Sequence, residues 1–530
     1  MRADLSGIDR WSHNVSTRCV VGDVLTRSAR TFPDRAALSF NGRETNYREL
    51  EHRSNALAHE LLEMAGGHQE PVAILMRNSD AFVIAFFACA KAGLVALPVN
   101  LAQHSSEIAY VLADSGSKVV VADSEFIEML GELSQKLPEV HHIVVNSDDD
   151  LPHIAGVATS TLRQSARHAP EPPSVTIDDR DIVQCLYSSG TTSRPKGVLT
   201  SHVSVVVANL TMALTFGHKW GSSFSVMPIS SPLFHTNALD ALLLPLLATG
   251  GTAVIMDGFH PEAMHELIRD RKVTHLMMLP IQYQQLLGSV SSDEKYPSVR
   301  MCIYAMAPLA ERWIDKLSRA FPQADIVLGS GMTECVPATV FQWPEHQKTK
   351  SGSWGPPTPT CEVAVMGDDG VLVDSGMSGE IVYRGPHVMH GYWNNEEANI
   401  AAFKHGWMHT GDIGHLDEDG VLWFTDRAKD VIKSGGENVS SVEVESVLLS
   451  HPGVSECAVI GLADERWGES VTALVVAEGQ SELSLIDFCK ANLAVFKVPK
   501  RIMFVDELPR TATGKVQKAL LRERLDSSSG

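Results

Sequence analysis

The sequence predicts a mixed α/β fold, with a large N-terminal domain of helix-covered sheets that contains a β-rich subdomain, and a small mobile α+β C-terminal domain. Short apolar runs alternate with amphipathic stretches through the first part of the chain, which is typical of a parallel sheet covered by helices. Gly and Pro become dense and strands short between residues 351 and 426. At about 100–200 residues per domain, the 530 residues suffice for two to four domains.

The N-terminal elements follow one another at regular spacing. Residues 46–65 carry apolar positions at helical spacing, and PVAILM (71–76) predicts a buried strand. Residues 79–93 predict a helix that ends at Gly93, a suitable C-cap, before a strand at 94–100. The alternation continues with a helix at 106–113 and a strand at 118–123, and it returns between residues 241 and 289.

The β-rich subdomain, residues 350–428, holds the predicted strands CEVAVM, GEIVYRG and VLWFTD. A compact unit of about 100 residues, plausible as a separate domain, begins near Asp430. It reads as a strand, a helix at 441–450, the strands CAVIGLA and VTALVVAE, a helix at 483–493 and the strand RIMFV. The predicted domains are therefore residues 1–428 and 429–530.

The charge balance argues against a general nucleic-acid or membrane-surface binder. The chain has 64 acidic and 44 basic residues, a net charge of −20, whereas both of those partners require a basic face. The longest apolar run, residues 81–90, is too short for a membrane span and predicts a core helix. The eight scattered cysteines lack CxxC pairing and the N-terminus lacks an apolar signal segment, so we expect free thiols and a cytoplasmic location.

A loop rich in hydroxyl groups predicts a phosphate site. Residues 187–198 read YSSGTTSRPKGV, with Arg194 and Lys196 close behind Gly190. A glycine lets backbone N–H groups approach an anion, while hydroxyls donate to phosphate oxygens and the cations offset their charge. The spacing differs from the Walker pattern. The predicted phosphate-binding residues are Ser188, Ser189, Gly190, Thr191, Thr192 and Lys196.

Several separate motifs in one order resemble the adenylate-forming superfamily, which includes acyl- and aryl-CoA synthetases, and the resemblance runs from about Tyr47 to Lys518. Besides the hydroxyl-rich loop, they are KAGLVALPVN (91–100), EIAYVLADS (107–115), PLFHTNAL (232–239), GSGMTE (329–334), HTGD (409–412), DRAKDVIKSGGENVSSVEVE (426–445) and LPRTATGKVQK (508–518). The resemblance implies an ATP-dependent acid–CoA ligase that forms an acyl-adenylate and releases AMP and pyrophosphate. ATP, Mg²⁺ and CoA are the implied cofactors, a small acid is the substrate, and a homo-oligomer is compatible with it.

The resemblance also implies roles for individual residues in adenylation. Glu334 is the expected Mg²⁺ ligand, since Mg²⁺ prefers carboxylate oxygen, and Thr333 is the expected α-phosphate contact. Asp412, in the TGD turn, is expected to accept hydrogen bonds from the ribose, with Arg427 beside it, and Lys515 resembles the catalytic lysine. Further expected nucleotide contacts are Ala307, Gly329, Ser330, Gly331 and Met332, and the expected acyl pocket comprises His235, Asn237, Ala238, Ala305, Met306 and Ser330.

For the second half-reaction the resemblance implies a domain rotation with its hinge at Lys429. The first pose would place Lys515 in the site, and the second would bring Lys433 and the glycine turn (Gly435 and Gly436) there. Gly435 and Gly436 lack side chains, which suits a narrow tunnel for pantetheine, with Glu437 following them.

Three departures from the family pattern leave other functions open. Ser330 replaces a common adenine-stacking aromatic, Ala305-Met306-Ala307-Pro308 replaces GGAP, and Ala238 replaces a frequent Gly. These changes predict an altered acyl pocket, suited to a short or planar acid. One alternative is activation of a non-carboxylate acid such as nitrite, as in ATP-dependent diazotases, or transfer to an acceptor other than CoA. Another is a nucleotide-binding regulator without catalysis, against which the intact charged residues argue.

Overall fold

A computed structural model describes residues 7–147, 154, 156–188, 195–289, 294–305, 309, 311–464, 466–511 and 515–526. These residues form five sheets with helices packed on them, and a large N-terminal domain precedes a small C-terminal one, which confirms the predicted fold class. Of the helices in this part of the chain, none combines the length and the apolar character needed to cross a bilayer.

Three sheets form the large N-terminal layers and carry most of the predicted site. The eight-stranded sheet is parallel except for two antiparallel edge pairings, and its order is Gly391–Tyr392, Lys196–Ser201, Ile182–Ser188, Val95–Pro98, Pro71–Leu75, Val119–Asp123, His142–Asn146 and Ala158–Thr161. A four-stranded sheet contains Val226–Ile229, Thr252–Ile255, Ala36–Phe40 and Arg43–Asn46. A second contains His275–Met278, Met301–Ala305, Asp325–Ser330 and Val340–Phe341.

The β-rich region and the C-terminal domain contribute one sheet each. The former is antiparallel and contains Glu362–Met366, Gly379–Arg384, Trp407–Leu416, Phe403–Lys404 and Leu422–Arg427. The latter contains Glu437–Val439, Ile432–Ser434, Gly468–Ala477, Val454–Asp464 and Arg501–Phe504. The short strand at 391–392 leaves the β-rich region to pair with Lys196–Ser201, so the two parts are connected beside the predicted nucleotide loop.

The helices begin and end where local chemistry favours it. The Asn46 side chain accepts the Glu49 N–H at 2.8 Å, and Gly66 takes φ 79° after the last residue. Gly93 ends its helix with φ 68°, as predicted. The α-helices are Arg10–Thr17, Val21–Thr31, Tyr47–Ala65, Asp80–Ala92, Ser105–Ser115, Ile127–Ser134, Leu162–Ser165, His202–Thr215, Leu244–Ala248, Pro261–Asp270, Pro280–Gly288, Glu311–Ala320, His346–Thr349, Glu396–Ala402, Ser441–Ser450, Glu482–Asn492 and Lys518–Asp526. Short 3₁₀ turns occur at Ser124–Phe126, Thr333–Cys335 and Val495–Lys497, and a π-helix at Asn237–Leu243.

The main core lies around the helix Asp80–Ala92, whose residues after Asp80 are all buried. This confirms that the apolar run 81–90 is a core helix. Its one buried charge, Lys91, pairs with Glu51 at 2.8 Å. A paired and hydrogen-bonded charge is the form in which a buried lysine is tolerated.

Two sequence predictions were wrong in detail. Asp412 does not lie in a turn, because it occupies the ten-residue strand Trp407–Leu416, where Gly411 adopts φ 71° without ending the strand. The strands of the β-rich region are therefore not all short. The strand Glu437–Val439 and the helix Lys518–Asp526 were not predicted, since neither carries a long apolar period.

Candidate active site

The two ends of the predicted phosphate loop are held together by a β-ladder. Ser188 pairs with Lys196 across antiparallel strands, and the Ser188 hydroxyl lies 3.5 Å from the Lys196 carbonyl oxygen. Gly197 allows this close packing, because a Cβ there would lie 2.8 Å from the Cys185 Sγ atom. The remaining predicted loop residues, Ser189, Gly190, Thr191 and Thr192, lie outside the described residues.

Glu334 is tied to this loop through Tyr392. The Tyr392 hydroxyl donates to Glu334 Oε1 at 2.9 Å, and Lys196 Nζ lies 5.1 Å from the centre of the Tyr392 ring. The Met389 N–H also donates to the Glu334 carbonyl at 2.7 Å. Burial, followed by the Glu334 charge, raises the pKa of Tyr392, so the phenol stays protonated and can donate.

The turn around Glu334 is tight and strained. Val336 takes φ 48°, a left-handed conformation that is unfavourable for a β-branched residue. A Cβ at Gly331 would lie 2.4 Å from the Cβ and carbonyl oxygen of Pro337. Met332 is partly buried in the core of the β-rich region, and Thr333 begins the 3₁₀ turn that carries Glu334. The glycine in the GMTE motif is therefore a packing requirement.

Glu380 holds the segment that carries Asp412. One carboxylate oxygen accepts the Gly411 N–H at 2.8 Å, and the other lies 2.7 Å from His409 Nδ1. Asp412 pairs with Arg427, whose Nε atom lies 3.3 Å from Asp412 Oδ1. Burial raises the pKa of Asp412, and the charges of Arg427 and Lys515 oppose this shift.

Lys515 from the C-terminal domain enters the same electrostatic environment. The Lys515 side chain is partly exposed to solvent, but the protein around it removes part of its hydration. This desolvation, followed by the positive charge of Arg427, lowers the pKa of Lys515 to about 8. Thr511 fixes the backbone on the two sides of the loop, since its N–H donates to the Lys515 carbonyl at 2.8 Å and its hydroxyl accepts the Lys515 N–H at 3.2 Å. Glu334 also contributes to the pKa of Asp412, so four predicted residues share one region.

The predicted acyl-pocket residues fall into two groups. Ala305 pairs with Gly329 at adjacent strand ends, next to Ser330, while Met306 and Ala307 lie outside the described residues. In the second group, burial lowers the pKa of His235 to about 4, so the imidazole is neutral, and its Nε2 atom has no hydrogen-bond partner in the part of the chain that the structure describes. Asn237 is half-buried at the start of the π-helix, whereas Ala238 is fully buried in the main core.

Lys433 and the glycine turn of Gly435 and Gly436 belong to the first two strands of the C-terminal sheet and the connection between them. The Lys433 N–H donates to Glu469 at 2.6 Å, and the Gly435 N–H donates to the Trp467 carbonyl at 2.7 Å. Gly435 and Gly436 take φ 63° and 87°, which allows the tight turn before the exposed Glu437. Beside it lies a groove of about 310 Å³ lined by Ser434, Trp467, Val495, Phe496 and Lys500.

Sequence reasoning missed Tyr392 and Glu380. Tyr392 lies 58 residues from Glu334 and joins it only because residues 391–392 pair with the strand after the phosphate loop. Glu380 lies 31 residues from Gly411 and reaches it across an antiparallel pair. A Gly-Tyr pair and a Gly-Glu pair carry no chemical signal by themselves, so only the sheet pairing identifies them.

Comparison with known proteins agrees with these motifs. The family model for AMP-binding enzymes matches residues 25–393, and that for the AMP-binding enzyme C-terminal domain matches residues 443–515. Feruloyl-CoA synthase from an Amycolatopsis species is 34% identical over 95% of this chain and 99% of its own. Indoleacetate–CoA ligase from Aromatoleum aromaticum is 32% identical over 94% of this chain and 97% of its own.

Solved structures of ligases share the whole architecture. The anthranilate CoA ligase AuaEII in complex with anthranoyl-AMP superposes with a TM-score of 0.87, at 28% identity, over 97% of this chain and 99% of its own. The o-succinylbenzoate CoA synthetase from Bacillus subtilis with ATP and a magnesium ion has a TM-score of 0.82, at 30% identity, over 95% and 99%. The chain belongs to the AMP-binding enzymes, the adenylate-forming superfamily, and is an ATP-dependent acid–CoA ligase.

Proposed function

We propose that Glu334, Asp412, Arg427 and Lys515 form the adenylation site, with the loop 188–196 holding the phosphates of ATP. A carboxylate is a poor electrophile because oxide would be its leaving group. Attack of the acid on the α-phosphate forms a mixed anhydride and releases pyrophosphate. Cations placed where charge develops stabilise this step, and Lys515 is the mobile one.

The single observation that supports this proposal most strongly is the position of Lys515. It belongs to the C-terminal domain, yet it lies close enough to Asp412 and Arg427 for their charges to affect its pKa. With a pKa of about 8 the ammonium is charged at neutral pH, and it is less solvated than an ordinary surface lysine. A positive charge therefore lies near Asp412 and Arg427 in the absence of substrate.

The donor set fits a magnesium ion that comes with ATP. Mg²⁺ is usually bound by one or two carboxylates together with substrate phosphates and water. Glu334 supplies such a carboxylate, and Tyr392 orients it through Oε1. The described residues contain no group of three His, Cys, Asp or Glu side chains arranged for a metal, which is consistent with a site completed by the nucleotide. The ion, when bound, neutralises phosphate charge.

For the second step we propose that CoA is the acceptor and that its nucleotide binds the groove beside the glycine turn. Trp467 and Phe496 offer aromatic faces for a base, and Lys500, whose Nζ lies 5.1 Å from the Trp467 ring centre, offers charge for a phosphate. Rotation about Lys429, between domains 1–428 and 429–530, would exchange Lys515 for Lys433 at the site. A short or planar acid remains the proposed substrate, in a cytoplasmic enzyme.

A pair of variants tests the two-step assignment. We expect Lys515→Ala to slow acid-dependent ATP–pyrophosphate exchange by at least ~10²-fold, the typical loss of a preorganised charge. We expect Lys433→Ala and Trp467→Ala to spare the exchange and to slow thioester formation from preformed acyl-adenylate. Lys490→Ala, an exposed lysine on the same domain, is the matched control. Exchange at the wild-type rate in Lys515→Ala, or equal losses in both steps for Lys433→Ala, contradicts the proposal.

A further inference from the structure

A buried carboxylate lies on the short helix that carries two residues of the predicted acyl pocket, Asn237 and Ala238. Asp240 is fully buried in the π-helix Asn237–Leu243, four residues after Thr236. A π-helix is rare and often occurs at functional sites. Neither the adenylation chemistry nor the thioester step uses Asp240, so its presence in an apolar environment requires another reason.

Asp240 accepts hydrogen bonds from two neighbouring side chains, Thr236 and Gln184. Thr236 Oγ1 donates to Asp240 Oδ2 at 2.8 Å. Gln184 Nε2 donates to both carboxylate oxygens, at 3.2 and 3.0 Å. Burial raises the pKa of Asp240 to about 7, and these hydrogen bonds oppose the shift. At pH 8 the group is therefore mostly a carboxylate, which can only accept.

Because its proton is used by Asp240, the Thr236 hydroxyl can only accept a hydrogen bond from any other group. A threonine hydroxyl has one proton, and here that proton points at the carboxylate, so only acceptor lone pairs remain. Thr236 is half-buried and lies in sequence between His235 and Asn237, two residues of the predicted acyl pocket. Gln184 is 1% exposed, and among the described residues its Oε1 atom has no hydrogen-bond partner, which adds a second acceptor without a donor.

The strand that carries Gln184 connects this group to the nucleotide loop. Cys185 and Tyr187 pack in the core on one face of the strand, whereas Gln184 points to the other, toward the π-helix. Ser188, at the end of the same strand, begins the predicted phosphate loop. The strand Ile182–Ser188 would therefore position both an acid bound at Thr236 and the nucleotide that this acid attacks.

We propose that Thr236 is a specificity-determining residue, with Asp240 and Gln184 as positioning residues, and that the enzyme selects acids carrying a hydroxyl or amino donor over isosteric acids carrying a methyl group. This inference rests on the proposed acyl pocket. A site built to hydrogen-bond a substrate group rejects analogues that lack it, because its own polar atoms then stay unpaired.

The test uses pairs of small aromatic and aliphatic acids that differ only by –OH or –NH₂ against –CH₃. At pH 8, kcat/KM is measured for each acid with ATP and CoA, by AMP release, for the wild type, Thr236→Val and Thr236→Ser. We expect a preference of about 10-fold or more for the donor member of at least one pair in the wild type, since the methyl group leaves an acceptor unpaired. Thr236→Ser should keep this preference, and Thr236→Val should bring the ratio near one.

The variant Asp240→Asn tests whether Asp240 acts by orienting the Thr236 hydroxyl or only by filling space in the core. The amide keeps the size of the carboxyl group but brings a donor, so it can free the Thr236 proton toward the pocket. The ratio should therefore fall while the melting temperature stays near that of the wild type. A purely structural role for Asp240 predicts the reverse, a changed melting temperature with an unchanged ratio.

The outcomes separate this inference from the proposed function. Equal use of donor and methyl acids by the wild type, or an unchanged ratio in Thr236→Val, overturns the inference. Thr236→Ala replaces Thr236→Val if the valine does not fold, with the same expectation. If no acid supports pyrophosphate exchange or CoA-dependent AMP release in the wild type, the proposed function itself is overturned.

Discussion

A partly buried ion pair, Lys518 with Glu445, close to Lys515 in sequence, gives the sharpest prediction. Lys518 Nζ lies 2.7 Å from Glu445 Oε1 and donates to Ser441 Oγ at 2.6 Å. The Ser441 hydroxyl and N–H both donate to Asp426 Oδ2 at 2.6 Å. The network thus runs from the end of the β-rich sheet, across the proposed hinge, to the segment three residues after Lys515. The perturbation is Lys518→Met, which removes the charge and keeps most of the apolar stem.

The magnitude follows from what remains buried. Removing one partner of a fully buried pair costs about 3–5 kcal/mol, because the other charge stays uncompensated. Here both side chains retain about 15% exposure, and Glu445 keeps the Val459 N–H at 2.7 Å. We therefore expect a loss of about 2–3 kcal/mol at pH 8, below the fully buried range.

The pH dependence has a definite sign. Burial raises the pKa of Glu445, and Lys518 opposes this shift, so loss of the lysine raises the pKa further. A carboxyl whose pKa is raised on folding binds its proton more tightly in the folded state, so its unfavourable effect grows as pH rises through that pKa. The destabilisation by Lys518→Met should therefore be larger at pH 8 than at pH 5.

The assay is urea unfolding followed by fluorescence, with the double variant Lys518→Met/Glu445→Gln as the decisive comparison. The double variant removes both charges and should recover all but about 1 kcal/mol of the loss, because paired deletion leaves no uncompensated charge. Pyrophosphate exchange should fall in Lys518→Met as the support of Lys515 is lost. A double variant as unstable as the single one, or a loss independent of pH, refutes the reasoning.

Three further predictions address the site. The kcat/KM of wild-type pyrophosphate exchange should fall as pH rises through about 8, because Lys515 loses its proton there, whereas Lys515→Arg should lack this alkaline limb even at a lower rate. Glu380→Ala should raise the KM for ATP by about 10-fold with a smaller change in kcat, because the Gly411 N–H and the segment that carries Asp412 lose their hydrogen-bond partner. A hydrogen bond to a charged group contributes about 1.5–3 kcal/mol. Gly331→Ala should lower the unfolding midpoint and the exchange rate together, because its Cβ would lie 2.4 Å from the Pro337 carbonyl oxygen. Gly288→Ala is the neutral control, since no atom of the described residues lies within 4 Å of the Cβ that it would add.

Local signals in the sequence were sufficient for most elements of the fold. The helix at 46–65 has a cap at each end, Asn46 and Gly66, and the strand at 71–76 is a short apolar run, so each could be predicted without its neighbours. The prediction of a turn at Asp412 was wrong because the conformation there depends on pairing with strands distant in sequence. A glycine usually indicates a turn, but here Gly411 takes φ 71° at an irregularity in the pairing with Gly379–Arg384, and the strand continues beyond it because Asp412 pairs with Arg427.

The sequence predicts the candidate site as a set of residues, which stays a prediction, but it does not predict the contacts among them. Lys515 and Glu334 carry charge in recognisable motifs, whereas the contacts that orient the site join residues far apart in sequence. Gln184 and Asp240 are 56 residues apart, and each looks like an ordinary polar residue until the π-helix brings them together. Which polar residue faces which depends on sheet register and helix type, and composition does not specify either.

The contacts across Lys429 hold the C-terminal domain in the pose that brings Lys515 near Asp412 and Arg427. Ser440 donates to the Thr425 carbonyl at 2.6 Å, and Ser441 donates to Asp426, so two pairs of neighbours on opposite sides of the hinge hold the observed pose. Asp426 precedes Arg427, which pairs with Asp412, so the same strand end supports the proposed ribose contact and the C-terminal domain. A rotation that carried Lys515 away would have to break these hydrogen bonds first. After pyrophosphate leaves, less negative charge remains near Lys515 to hold it at the proposed site, and the hydrogen bonds of Ser440 and Ser441 are among the contacts that still oppose the rotation.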